Sequence, residues 1–245
     1  MPTDLVLRPG GTEDLPEIAE LFIAARREAV PHMPRVLNDD ESIRAWFAEH
    51  GPEREIWVAE DEEILGYAQL RTGWLEGLYV GPHRQGSGIG SALLDVVKAQ
   101  RPEGFGLWVF ASNSPARGCY HRHGLVELEH TDGSGNSERS PDVRMVWPGQ
   151  HPLRYLRAQI DEVDDELALL LARRFALTAT VQGFKDRPGQ LGRDPERERE
   201  IAERMAAHAP GLGAAAIARI MHSVIGESLD AYESGPGEPH PAAER

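Results

Sequence analysis

The feature that most limits how this chain can fold is a set of apolar residues at helical spacing, Leu156, Ile160, Val163, Leu167, Leu170, Leu171 and Phe175, within Leu153 to Lys185. Steps of three and four residues place these side chains on one stripe, the pattern of an amphipathic helix, and the stretch predicts a single helix of roughly nine turns. Arg174 and Lys185 fall on one face of that rod about 16 Å apart, near enough for two long side chains to converge on one small ligand. Arg157 lies roughly 25 Å from Arg174 and about 100° round the axis. A comparable site that Arg157 serves therefore belongs to a second copy of the chain.

Further on, Arg187-Pro188-Gly189-Gln190 reads as a turn. Pro195 opens a second helix with Glu196 and Glu198 in its first turn, where the helix dipole favours acids. Pro210-Gly211 ends that helix, and a third is predicted from about Ala214 to Tyr232. Three helices with one very long member expose too much apolar surface for a stable monomer, so packing alone predicts a dimer. The tail from Ser234 to Arg245, rich in Pro, Gly and Glu, is expected to be disordered.

Upstream of the breaker Pro148-Gly149-Gln150-His151-Pro152 the character changes. Apolar runs at Leu5 to Leu7, Ile56 to Ala59, Ile64 to Leu70, Trp74 to Val80, Leu107 to Phe110 and Val143 to Trp147 read as strands. Asp14 to Glu28 and Glu41 to His50 read as helices, and Asp61-Glu62-Glu63 as a hairpin turn. This predicts an α/β domain over 1–149 with an antiparallel meander, a helical domain over 150–235 and a disordered end over 236–245. In the first domain, the strand Leu78-Tyr79-Val80 runs through Gly81 to Gly90 into a helix from Ser91. Backbone N–H groups and a positive helix end meet there, which makes an anion site suited to a phosphate or pyrophosphate. No Gly-Lys-Ser/Thr ends the loop, so it is not a P-loop, and its glycine spacing is not that of the dinucleotide fingerprint. Ser114 as cap and Pro115 at the first position open a further helix that carries Tyr120.

Net charge is −14, which makes nucleic acid an unsuitable partner and leaves anionic ligands to local donors. No run approaches the roughly 18 apolar residues of a membrane span, and Met1 to Asp4 carries no targeting pattern, so the cytosol is the expected location. Cys119 is the only cysteine, which excludes an intrachain disulfide and a thiolate metal cluster. His121 and His123 do not share a helix face, so no metal pair is expected and both are read as solvent-exposed.

Two resemblances emerge. Val80 followed by Gln85, Gly88 and Gly90 is similar to the acetyl-CoA motif of the GNAT superfamily. Asn113, Ala116, Tyr120 and Gly124-Leu125 resemble its second motif, with Leu125 where that family usually has phenylalanine. The likeness spans about 4–147 and implies a mixed, mostly antiparallel sheet flanked by helices. It implies acetyl-CoA as co-substrate and an amine acceptor that the sequence does not identify. The loop Gln85, Gly86, Ser87, Gly88, Ile89, Gly90 and Ser91 would hold the CoA pyrophosphate, Leu78, Tyr79 and Val80 would pair with the pantetheine arm, and Tyr120 would protonate the departing thiolate. A phenol suits this, being neutral at pH 7 and able to donate to a nearby sulfur anion. The sequence does not identify the base for the incoming ammonium; Glu76 on the strand before the loop, or a carboxylate holding a water, is a candidate.

Leu156-Arg157, Ile160-Asp161, Asp164, Leu170-Leu171, Arg174, Lys185, Asp194 and Arg197-Glu198 resemble the all-helical class of chorismate mutases, over about 150–235. This implies an intertwined homodimer that converts chorismate to prephenate, for aromatic amino acids or related metabolism, in one concerted step without cofactor, acid, base or metal. By resemblance, Arg174 and the partner copy's arginine at the position of Arg157 grip carboxylates and Lys185 donates to the ether oxygen. Asp194, Arg197, Glu198 and Ser228 position the hydroxyl and the ring carboxylate. Where the family usually has glutamine or glutamate, one turn after Ser228, this chain has Tyr232, whose phenol can donate the same hydrogen bond. Pyruvate elimination from isochorismate, rearrangement of an amino-deoxy analogue, or an inert dimerisation or sensing module remain alternatives. Asp194 and Glu198, which suit the hydroxyl of chorismate, favour the mutase.

Overall fold

The computed structural model describes residues 5–49, 54–185, 193–209 and 211–234. The turn expected at Arg187 to Gln190, the start of the chain, Pro210 and the tail beyond Ser234 lie outside them. The chain divides into two compact units, residues 1–158 and 159–245.

The first unit is built on seven strands: β1 (Val6–Pro9), β2 (Glu55–Asp61), β3 (Glu63–Arg71), β4 (Trp74–Val80), β5 (Phe105–Phe110), β6 (Val126–His130) and β7 (Asp142–Trp147). They lie in the order β1-β2-β3-β4-β5-β7-β6. Every neighbouring pair is antiparallel except β4 and β5, which are parallel and register at a single position, Trp74 opposite Gly106. Helices α1 (Leu15–Glu28) and α2 (Asp40–Ala48) bury Ile18, Ile43 and Phe47 against Val58 and Tyr67 on one side of the sheet. Helix α3 (Ile89–Gln100) and α4 (Ser114–Arg122) bury Leu93, Leu94, Val97 and Tyr120 against Leu65, Phe105, Leu107 and Met145.

Three details depart from the sequence expectation. Strand β6 was not anticipated, because Val-Glu-Leu-Glu-His is an edge strand whose apolar residues are largely exposed, so no buried face marks it. Helix α4 is capped by Asn113 rather than Ser114. The Asn113 side chain accepts from the Ala116 N–H at 3.2 Å, which moves Ser114 and Pro115 into the first turn. Packing also carries the first unit past Gly149 through Ala158, because the ring of Tyr155 lies against Gly104, where a Cβ would come within 2.5 Å of it.

The second unit is helical. Helix α5 (Pro152–Gly183) ends two residues before Lys185, with Lys185 N–H donating to the Gln182 carbonyl at 3.1 Å as the turn tightens. Helix α6 (Pro195–His208) is capped by Asp194, which accepts from the N–H groups of Glu196 and Arg197, and α7 (Gly213–Ser234) packs on it through Ala202, Ile217, Met221, Ile225 and Leu229. The apolar stripe of α5 is bare in a single copy: Ile160, Val163 and Leu170 are 58%, 60% and 62% exposed, and Gln182 is the helix's one buried residue. No helix among the described residues is long and apolar enough to cross a membrane.

An ion-pair network ties the first strand to the first helix. The Arg8 guanidinium donates to both oxygens of Asp14 at 2.7 and 2.8 Å and to Glu60 at 2.6 Å, while Asp14 also accepts from the Gly11 N–H at 2.7 Å. Arg8 holds the nearly buried Asp14 carboxyl below its usual range. A group depressed in the folded state adds stability above its unfolded pKa and loses it as pH falls through the folded value. Asp14→Ala is therefore expected to lower unfolding free energy by about 2 kcal/mol at neutral pH. In urea melts the difference from the parent should shrink below about pH 4; a gap independent of pH would contradict this account.

Candidate functional sites

In the first unit a cleft of about 1250 Å³ opens where β4 and β5 part. Leu78, Tyr79 and Val80 on one side and Leu107 to Phe110 on the other line it, together with Gln85, Gly86, Gly88, Gly90, Ser91, Asn113 and Tyr120. The loop forms because glycine stands where the backbone requires it: Gly86 and Gly88 have φ of 74° and 92°, a region costly for other residues, and Gly88 is the N-cap of α3. Ile89 anchors the helix start in the core beneath the loop. The Ser87 hydroxyl donates to the Arg84 carbonyl at 2.5 Å, closing the loop on itself, and Gln85 reaches back to the Val80 carbonyl at 3.5 Å.

Tyr120 projects from α4 to the cleft wall. Burial, reinforced by Tyr79 and Cys119, pushes its phenol above the ordinary tyrosine value, so it stays protonated and has a proton to give. Glu76 is not a free carboxylate. It accepts from Gln69 Nε2 at 2.9 Å and from Arg71 at 2.9 Å, with Arg54 at 3.8 Å. On the α1 side, the buried Arg26 pairs with Glu138 at 3.0 Å and lies over the Phe110 ring, joining α1 to the segment before β7. Sequence reasoning did not find Arg26 or Glu138, since an ion pair spanning 112 positions leaves no local pattern.

The two histidines of α4 separate. His121 is exposed and beside Glu127 at 3.0 Å, whereas His123, expected to be solvated, is turned inward with Nε2 2.9 Å from Ser91 Oγ. The reason is position: His123 is the C-cap of α4, where the chain turns back over α3.

In the second unit, Arg174 and Ser228 come together: Arg174 Nη1 donates to Ser228 Oγ at 2.7 Å, joining α5 to the buried face of α7. Burial draws the Arg174 guanidinium below its usual value, yet an arginine stays charged. Lys185 is half-buried at the end of α5. At the start of α6, Asp194 is occupied by capping, and Arg197 points to Glu200 at 2.9 Å. Glu198 receives two bonds from Arg193, each 2.8 Å, and lies 3.5 Å from His222. The Arg193 guanidinium depresses the Glu198 carboxyl, which keeps it ionised. Arg193 and His222 were missed; neither sits in a run with recognisable spacing. Arg157 stands on α5 seventeen positions before Arg174, and Tyr232 is 40% exposed on α7.

Comparison with known proteins agrees with this division. Residues 15–125 match the acetyltransferase (GNAT) family model, and residues 156–233 match chorismate mutase type II. A comparison with curated protein sequences finds no match. Among solved structures, the apo form of YjaB from Escherichia coli is similar at a TM-score of 0.50 and 18% identity, over 60% of this chain and 99% of that one, which shows the fold. Also similar are the ribosomal-protein-S18-alanine N-acetyltransferase of Escherichia coli (TM-score 0.46, 18% identity, 59% and 94% covered) and Arabidopsis thaliana NAA60 in complex with a bisubstrate analogue (0.47, 17%, 60% and 99%). This chain joins, in one polypeptide, a domain of the GNAT acetyltransferase family, which uses acetyl-CoA, to a domain of the chorismate mutase type II family, both of them enzyme families.

Proposed function

We propose that the helical domain rearranges chorismate to prephenate as a homodimer and that the first domain transfers acetyl from acetyl-CoA to an amine. The bond between Arg174 and Ser228 carries the mutase reading, because it brings to one point two groups 54 positions apart that the motif assigns to one substrate. The reaction is intramolecular: an ether C–O bond breaks as a C–C bond forms, and no proton or electron leaves the molecule. The protein's part is to hold the folded conformer and to stabilise negative charge on the departing oxygen. Arg174 is a bidentate donor for a carboxylate, and Lys185 a mobile ammonium for the ether oxygen. Glu198, held ionised by Arg193, accepts from the substrate hydroxyl.

The bare stripe of α5 supports the dimer, since a contiguous apolar stripe left exposed in one copy is a surface that a second copy can cover. A second copy laid along α5 brings its own arginine at position 157 to the site. In the first domain the parting of β4 and β5 leaves strand edges for the amides of a pantetheine arm, and the glycine loop receives the diphosphate. The amine nitrogen attacks the thioester carbon, the C–S bond breaks, and Tyr120 gives its proton to the thiolate. With both Glu76 oxygens already bonded, the ammonium proton leaves through a water rather than directly to that carboxylate.

Loss of chorismate absorbance with product identification tests the mutase and separates it from pyruvate elimination. Lys185→Ala and Arg174→Ala should each lower kcat/KM by about 100-fold or more; a Lys185→Ala protein as fast as the parent removes this site. Mixing and reassembling inactive Arg157→Ala and Arg174→Ala proteins should restore about a quarter of parental activity, because half the dimers then hold one intact site. No recovery would place Arg157 and Arg174 of one site on the same copy. Calorimetric titration with acetyl-CoA tests the first domain: Gly88→Ala, strained at φ 92°, should bind at least about tenfold more weakly. Absence of binding by the parent would reduce that domain to a scaffold.

A further inference from the structure

Behind the glycine loop lies an arrangement that no motif assigns. Ser91, in the first turn of α3, lines the cleft with its hydroxyl 2.9 Å from Nε2 of His123 at the end of α4. The other ring nitrogen, Nδ1, is 3.8 Å from the Asp95 carboxylate one turn along α3. Lys98, a further turn on, donates from Nζ to the His123 carbonyl at 2.7 Å. Helix α3 thus fixes His123 twice, at its ring and at its backbone. The ring contact places a polar group on the serine hydroxyl in the first turn of α3, which lines the cleft.

A serine hydroxyl has one proton to donate and two lone pairs. In the ring form that carries a proton on Nε2, that nitrogen donates into one lone pair, and the Ser91 proton is directed away from the ring and toward the cleft. The first-turn N–H groups of α3 point there too, since the first backbone bond within this turn is Ala92 N–H to the Gly88 carbonyl. We infer that His123 is a positioning residue for the acetyl-CoA diphosphate: it orients the Ser91 hydroxyl toward a phosphate oxygen and acts on the ligand only through that serine. Because Tyr120 is three residues earlier on the same helix, α4 then holds both ends of the donor, its diphosphate through His123 and Ser91 and its thiolate through Tyr120. This rests on the acetyl-CoA reading of the cleft.

The test is acetyl-CoA affinity of the full chain by calorimetry in a double-mutant cycle. Ser91→Ala and His123→Ala should each weaken binding by about tenfold, a charge-assisted hydrogen bond lost. The double variant should be no more than about threefold weaker than either, because both remove the same contact. His123→Gln, which keeps a donor near the position of Nε2, should stay within about threefold of the parent. A structural strut would give neither the rescue nor the coupling. Parental affinity in His123→Ala, or losses that multiply in the double variant, would overturn the proposal. If His123→Ala melts at a lower temperature than the parent, Ser91→Ala and His123→Gln decide, and a Ser91→Ala protein with parental affinity overturns it. A parent that does not bind acetyl-CoA removes the cleft reading itself, a result distinct from uncoupled variants.

Discussion

The first domain depends on a hydrogen-bond ladder that is almost wholly left unmade. Strands β4 and β5 are neighbours in one sheet, yet they register only at Trp74 and Gly106, with Gly106 N–H also donating to the Gly73 carbonyl at 2.9 Å. Buried backbone groups are costly to leave without partners, so a sheet that opens in its middle needs either solvent or a ligand with amides in the gap. The antiparallel strands on either side hold the gap open: β3 registers along β4 from Trp74 to Val80, and β7 along the whole of β5. The glycine loop, α3 and α4 then follow from the need to turn the chain at the wide end of the opening.

How much of this was legible varied with how local the determinant is. Strands β2, β3, β4, β5 and β7 bury apolar residues in the sheet interior, so their sequences announced them; β6 did not, because an edge strand with glutamates on it carries no burial signal. The glycine loop was readable since positive φ at Gly86 and Gly88 leaves a compositional trace. The parallel pairing of β4 and β5 was not, because nothing in either strand encodes which neighbour it lacks.

The same contrast runs through the sites. Tyr120, Ser91 and the loop lie in continuous motifs, and the structure gathers them round one cleft. Pairings were not legible: Arg26 with Glu138 and Arg193 with His222 were missed, and Glu76 and Glu198 were named without the partners that occupy them, Gln69 and Arg71 for the first and Arg193 for the second. Arg174 was found by its spacing, but its contact with Ser228 depends on how α5 meets α7, which spacing alone does not fix. His123 was misread for the same reason, since a helix-end residue takes its surroundings from where the chain goes next.

The helical domain poses the opposite problem from the sheet. There the unmet need is apolar: α6 and α7 bury a compact row of Ala202, Ile217, Met221, Ile225 and Leu229, while α5 spends most of its length with its leucines in water. Each buried leucine is worth about 2 kcal/mol, so a stripe of this size is a strong drive for association. In the proposed dimer, a helix covered by another copy also delivers whatever charges flank its stripe to that copy's surface. Arg157, seventeen positions from Arg174 and beyond its reach along one rod, makes physical sense under that condition. On the function proposed above, the two domains handle incomplete structure differently, the sheet by admitting a ligand and the helix by admitting a twin.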